Sequence, residues 1–272
     1  MRPLEGNATF LKKLPTINYS KMKRTSLISL QVSSGRYDDF MRQITELATQ
    51  RISSYVCFAN VHMLIEAWQN KEFAHQVNGA TFVAPDGMPL VWGVHQLYGD
   101  RPDRMAGMDA MPSLLKIAAE KNLGVYFYGS TPDVLNKLEA LCRSEYAGCR
   151  IAGSYSPPFR PLSLDEEEEV VQKINNSGAQ LIFVSLGCPK QERWMANMQG
   201  RIRGVMLGVG GAFPVLTGDQ DRAPAWMRRL SLEWAYRLAQ EPNRLWKRYL
   251  TTNSLFLYLF AKRYVRVKVL RF

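Results

Sequence analysis

Several short stretches of the chain set chemically capable side chains beside residues that turn the backbone. In Pro85-Asp86-Gly87 a carboxylate stands between the short run Thr81 to Ala84 and the mostly apolar stretch Met88 to Leu97. Asp-Gly after a strand is often only a turn. At the mouth of an apolar crevice, however, a desolvated carboxylate gains a raised pKa and can take the proton of a hydroxyl. Asn60 follows the run Tyr55 to Ala59, where it either caps the next helix or touches a ligand. Tyr128-Gly129-Ser130-Thr131-Pro132 ends a strand and starts a helix. Gly129 and Ser130 there form a fair phosphate cradle, although an ordinary strand–helix turn is spelled the same way. In Gly187-Cys188-Pro189-Lys190-Gln191-Glu192 the cation of Lys190 falls in a first helical turn and opposes the helix dipole, which hints at a bound anion. Gln191 lies beside the same free N–H groups. Gly210 and Gly211, after a last strand, let a ligand approach the backbone closely.

The elements that must position these groups read as short apolar strands alternating with helices. Strands are expected over Leu27 to Val32, Tyr55 to Ala59, Thr81 to Ala84, Gly124 to Tyr128, Leu181 to Leu186 and Val205 to Val209. Helices are expected over Asp38 to Thr49, Val61 to Asn70, Asp109 to Glu120, Pro132 to Tyr146 and Lys190 to Met198, with Asp165 to Glu169 opening one more. This alternation implies parallel strands joined by crossovers: an α/β fold with an open, Rossmann-like, mostly parallel sheet and helices on both faces. In such sheets ligands bind outside the carboxyl ends of the strands, where the loops above fall.

Residues 1–25 read as a loose leader, polar and basic, without the apolar run of a signal peptide. The catalytic domain is expected over 26–221. From 222 to 272 the chain reads as a basic, aromatic-rich helical appendage, broken at Pro224 and Pro242. That appendage holds 12 Lys/Arg and 2 Asp/Glu, whereas the rest of the chain holds 23 and 22, so nearly all of the net charge of +11 sits at the end. Arg237, Arg244 and Arg248 share one helical face only if Pro242 does not break the register. Arginine interleaved with Trp and Tyr suits a membrane interface or single-stranded nucleic acid. No run approaches the ~18 apolar residues of a spanning helix. Four scattered cysteines and three histidines suggest neither a disulfide scaffold nor a metal cage, and no metal or cofactor is expected.

The combination resembles the WecG/TagA/CpsF glycosyltransferases, which build bacterial surface polysaccharides and wall teichoic acids. The resemblance is carried by Asn60 to Met63 (NVHM), Ala84 to Gly87 (APDG), Arg104 to Asp109 (RMAGMD), Tyr128 to Ser130 (YGS), Leu186 to Glu192 (LGCPKQE), Gly208 to Phe213 (GVGGAF) and Arg222 to Tyr249, in order over roughly residues 26 to 250. It implies that Asp86 is the general base, that Arg104 and Gln191 lie near the sugar donor, and that Arg237, Arg244 and Arg248 complete the site from a membrane-associating tail. It further implies an inverting, metal-independent transfer from a nucleotide-sugar donor of the UDP type to a polyprenyl-diphosphate-linked acceptor. Asn60, Gly129, Ser130, Lys190, Gly210 and Gly211 are the remaining expected substrate contacts. The setting implied is the inner face of the cell membrane, with an anionic lipid surface as partner, no nucleic acid, and a homo-oligomer left open. Phe58 departs from the pattern, because relatives often carry Thr at that position. Two other readings compete: a dinucleotide-dependent oxidoreductase, disfavoured because G-x-G-x-x-G is missing, and a nucleic-acid-binding module driven by the basic tail.

Overall fold

The computed structural model describes residues 22–224, 226–227 and 232–270 of the 272-residue chain, apart from the side chain of Arg244. Most of the leader therefore lies outside the described residues, and its last part is already ordered. A hairpin of β1 (Lys23–Leu27) and β2 (Leu30–Ser34) replaces the single strand expected over 27–32. No Gly or Asn marks the turn in the sequence: Ile28 itself takes a left-handed φ of 56°. Tertiary hydrogen bonds hold it there. The Ser29 hydroxyl donates to the Leu64 carbonyl at 2.6 Å, and Asn78 donates its amide to the Ser29 carbonyl at 3.0 Å.

The main sheet has six parallel strands: β3 (Ser54–Ala59), β4 (Phe82–Pro85), β5 (Gly124–Gly129), β6 (Arg150–Tyr155), β7 (Leu181–Ser185) and β8 (Val205–Gly208). Their order is β4-β3-β8-β7-β5-β6. Every residue of β3 and β5 is buried, as expected for strands covered on both faces. On one face pack α1 (Tyr37–Thr49), α5 (Gly107–Lys121), α6 (Pro132–Glu145) and α9 (Ala212–Leu216), around Phe40, Leu114, Leu138 and Phe213. On the other pack α2 (Val61–Gln69), α3 (Lys71–Asn78), α4 (Met88–Tyr98), α7 (Leu164–Ser177) and α8 (Lys190–Met198), around Leu64, Phe73, Val94, Val171 and Met195. The acidic run does open a helix: Ser163 caps α7 in a reciprocal capping box with Glu166.

Register decides where the loops emerge. Ala59 pairs with Pro85 and Cys57 with Gly208, while Val184 also pairs with Gly208. Strands β3 and β4 thus end level with each other and two residues beyond β8, which ends beside β7, and the residues after all four leave the sheet along one rim.

The tail continues as α10 (Glu233–Gln240) and α11 (Pro242–Tyr264), ending in a single π-helical stretch, Val265–Val269. Pro242 occupies the first turn of α11, where its missing N–H costs nothing. Helix α11 lies against α2 and α4. Its Leu245, Phe256 and Phe260 are buried, and the Phe260 ring sits 4.8 Å from that of Trp92. Gly93 makes this contact possible, since a Cβ there would lie 3.3 Å from Phe260 and 3.1 Å from Leu27. The tail is docked on the domain through these aromatics.

Candidate active site

These strand ends place the N-termini of four helices around one cleft of about 870 Å³. Asn60 caps α2, its Oδ1 accepting from the Met63 N–H at 3.1 Å, while Gly87, Ala106 and Pro189 precede α4, α5 and α8. Residues at all four starts line the cleft. Free N–H groups and positive dipole ends therefore converge on it, an arrangement that favours an anionic ligand.

Asp86 stands in this rim, its own N–H bound to the Ala59 carbonyl at 2.8 Å. Its side chain keeps 29% of its surface open to the cleft, yet protein surrounds it closely. Desolvation is the largest influence and pushes the carboxyl up to about 6; Arg104 and Arg237 pull it down, and Glu233 and Asp109 push it up. Arg104 donates from Nε to the Asp86 carbonyl at 2.7 Å and holds its guanidinium 3.6 Å from the Asp86 carboxylate. The same guanidinium pairs with Asp109 at 3.3 Å and with Glu233 of the tail, and Asp109 in turn pairs with Arg222. This chain of charges joins core to tail and includes three residues, Asp109, Arg222 and Glu233, that the sequence reading did not single out as site residues. Their only sequence signal was membership of the matched stretches.

Gln191 lies on the cleft floor, 4% exposed, with Nε2 donating to the Gly208 carbonyl and to Glu192 Oε1, both at 2.8 Å. A side chain at Gly208 would collide with Met195 and press on this amide. Gly210 and Gly211 line the floor as well; a Cβ at Gly211 would sit 3.7 Å from Arg237. Phe58 adds its ring to the wall, against Gly107.

The opposite wall is the tail. Pro242 does break the helical register, so Arg237 and Arg248 sit on different helices; both nevertheless line the cleft. Packing of α10 against α11, with the Trp234 and Tyr249 rings edge to face at 6.1 Å, brings them to one side. Arg237 reaches Met108 Sδ at 3.5 Å, and Arg248 lies over the Tyr249 ring at 5.4 Å. His62, also in the wall, has its pKa lowered, first by burial and then by Arg248. Arg244 is on α11 with its side chain outside the described residues.

Three expected contacts are not among the residues lining the cleft. Lys190 is exposed on the first turn of α8 and does not line the cleft. Gly129 and Ser130 end β5, beyond β7 from the rim that bears Asp86. They turn the chain instead: Gly129 has φ 106°, and its missing Cβ leaves room for the Ser185 carbonyl, which accepts from the Ser130 N–H at 3.0 Å. One carboxylate pair passed over in the sequence is Asp219-Gln220-Asp221, which has D-x-D spacing. Asp219 is engaged by Lys137 and by the Thr217 hydroxyl, and only Asp221 lines the cleft. Among the described residues, no group of three or more His, Cys, Asp or Glu side chains gathers to hold a metal.

The family model of the glycosyl transferase WecG/TagA/CpsF family matches residues 25–269, which spans both the sheet and the tail. The chain belongs to this family. It is a glycosyltransferase. Among curated relatives, the N-acetylglucosaminyldiphosphoundecaprenol N-acetyl-beta-D-mannosaminyltransferase of Bacillus subtilis (strain 168) is 32% identical over 203 residues, 74% of this chain and 77% of the relative. The enzyme of the same name from Bacillus spizizenii (strain ATCC 23059 / NRRL B-14472 / W23) is 34% identical over 210 residues, 76% of this chain and 79% of the relative. Within a WecG/TagA/CpsF glycosyltransferase, the cleft between sheet rim and tail is the place where a raised carboxylate, helix N-termini and arginines meet.

Proposed function

We propose that the chain moves a hexose or N-acetylhexosamine-type sugar from a nucleotide diphosphate donor of the UDP type to a sugar carried on a polyprenyl diphosphate, with inversion and without a metal ion. The observation that carries this reading is Asp86, a carboxyl held near 6 in a cleft whose facing wall supplies arginines. At neutral pH it is mostly ionised and basic enough to accept the proton of an acceptor hydroxyl. As that oxygen bonds to the anomeric carbon, the bond to the diphosphate breaks on the opposite face, which inverts the centre. The departing diphosphate gathers negative charge. Arg237 and Arg248, with the helix N-termini and Arg104, stabilise it by charge-assisted hydrogen bonds. The names of the relatives support the acceptor class, since both act on a diphosphoundecaprenol-linked sugar.

The tail supports work at a membrane surface, on its inner face where nucleotide sugars are made. Trp246, Leu250 and Leu257 run along one side of α11 with Tyr258 beside them, each 47% or more exposed. Lys247 lies over the Trp246 ring, and Lys262, Arg263, Arg266 and Lys268 follow. Apolar side chains among cations suit an anionic headgroup layer. No helix among the described residues is long and apolar enough to cross a membrane.

The test is a panel of nucleotide sugars offered with polyprenyl-diphosphate-linked N-acetylglucosamine, with products read by mass spectrometry and the new linkage by NMR, with and without EDTA. The expected result is one favoured UDP-sugar, a product of inverted configuration, and a rate that EDTA leaves unchanged. A retained configuration would remove Asp86 as a direct base. Loss of activity in EDTA, restored by a divalent ion, would contradict the metal-independent reading and point to a cation held at Asp221 as the partner of the diphosphate.

A further inference from the structure

The floor of the cleft contains a buried carboxyl that the transfer reaction above does not use. Glu192 is fully buried, and it follows Gln191 in the first turn of α8. Its Oε1 accepts from Gln191 Nε2 at 2.8 Å, and the Gly208 carbonyl accepts from the same nitrogen at 2.8 Å. A main-chain carbonyl can only accept, so the Gln191 atom facing these two oxygens has to be the nitrogen. The amide is thereby locked in one orientation. Its other end, Gln191 Oε1, is buried, has no partner among the described residues, and lies 3.4 Å from where a Cβ of Gly210 would stand, on the side that lines the cleft. A buried acceptor left without a donor is costly, which points to a ligand group that fills it.

We propose that Glu192 is a positioning residue that, with the Gly208 carbonyl, occupies the donor end of the Gln191 amide, so that Gln191 offers the substrate only an acceptor and selects an N–H or O–H group on the bound nucleotide sugar. The inference rests on the reading of the cleft as a nucleotide-sugar site. It has a consequence for phosphate: Gln191, with its N–H groups committed to the protein, does not bind the diphosphate, which is left to the arginines. The ligand group is an amide N–H of an N-acetyl sugar or a sugar hydroxyl, groups that UDP alone does not carry on a transferred sugar. Burial holds the Glu192 carboxyl up at about 7, against the pull of the Gln191 hydrogen bond, and in either protonation state Oε1 remains an acceptor.

The discriminating variants are Glu192→Gln, which keeps an oxygen to face Gln191, and Glu192→Leu, which does not. Donor affinity is measured by calorimetry for the favoured UDP-sugar and for two analogues, one lacking the N-acetyl N–H and one deoxygenated on the sugar. The wild-type protein is expected to bind one analogue roughly ten- to a hundredfold more weakly than the parent, since a site built to accept from a donor rejects its absence. Glu192→Gln keeps that discrimination. Glu192→Leu binds the parent as weakly as the wild type binds the analogue, and no longer tells the two apart, while its affinity for UDP alone is unchanged. Discrimination in Glu192→Leu equal to wild type would overturn the proposal, as would equal weakening toward all ligands including UDP. A second readout needs no ligand: the side-chain NH2 resonances of Gln191, identified by their loss in Gln191→Glu, are slow to exchange in wild type and exchange faster in Glu192→Leu. Unchanged exchange would contradict the lock itself, whereas a locked amide in a protein that binds no nucleotide sugar would contradict only the reading of the cleft.

Discussion

The two walls of the cleft are built by different physics. The sheet wall consists of strand ends and helix starts, fixed by parallel register and backbone hydrogen bonds: Asn60, Asp86 and Gly210 stand where they do because β3, β4 and β8 end within two residues of one another on one rim. The tail wall consists of long side chains, Arg237 and Arg248, on two helices held by a few aromatic anchors such as Phe256 and Phe260. The first wall is rigid and carries the base. The second is attached through packing and through the Arg104–Glu233 and Arg222–Asp109 pairs, and it carries the positive charge. The difference teaches that proton transfer and leaving-group stabilisation can fail independently.

The largest expected effect is on the sheet wall. Asp86→Asn should lower turnover by ~10²-fold or more, the usual span for loss of a general base, with donor binding nearly intact. Its effect on folding has a defined sign. The folded pKa is raised above the ordinary carboxylate value, so ionisation of Asp86 destabilises the native state as pH rises from about 4 through about 6. The amide variant should therefore melt no lower than wild type at pH 8, and higher by up to about 1–3 kcal/mol in stability, a gain absent at pH 4. A lower melting temperature at pH 8 would argue that the carboxylate is stabilised rather than strained.

On the tail wall, Arg237→Ala and Arg248→Ala should each lower turnover by roughly tenfold to a hundredfold, on soluble and lipid-borne acceptors alike, because each removes one charge-assisted contact to the leaving group. Full activity of both variants on a soluble acceptor analogue would reduce the tail to an anchor. The anchor role separates cleanly: replacing Trp246, Leu250 and Tyr258, which do not line the cleft, with Ser should release the protein from anionic vesicles while sparing the soluble reaction. Raising salt should weaken the remaining attraction, since exposed charges are screened within ~8 Å at physiological ionic strength. Retention on vesicles by the triple variant would contradict that assignment.

The sheet wall was largely legible in the sequence and the tail wall only partly. Pro85-Asp86-Gly87 and the stretch up to Gln191 follow apolar runs, so their position at strand ends could be inferred from pattern alone. Strand β6 was not seen: Arg-Ile-Ala-Gly-Ser-Tyr lacks a run of branched residues because it is a sheet edge, half exposed along most of its length. The hairpin turn at Ile28 was hidden because its conformation is imposed from outside, by Leu64 and Asn78. The same holds for Glu233. Nothing local marks it, and its role arises only when α10 folds over Arg104, 129 positions earlier. Lys190 shows the converse limit, since a position in the right loop does not decide which way a side chain turns.

Glu233 also links the walls in the smallest effect expected. Its charge helps to hold the Asp86 pKa up. Glu233→Gln should shift the acid limb of the pH–rate profile to lower pH by a fraction of a unit and change the rate at pH 8 little. A shift to higher pH would mean that the loss of Arg104's partner outweighs the loss of the charge.

The most direct test of Asp86 as the base is the pH dependence of kcat/KM for the acceptor in the wild-type protein between pH 4.5 and 8.5, with the stability of the fold checked at each pH. The account predicts a plateau above neutrality and a fall of about tenfold per pH unit below about 6. A rate that stays level down to pH 5, in a protein still folded, would contradict it.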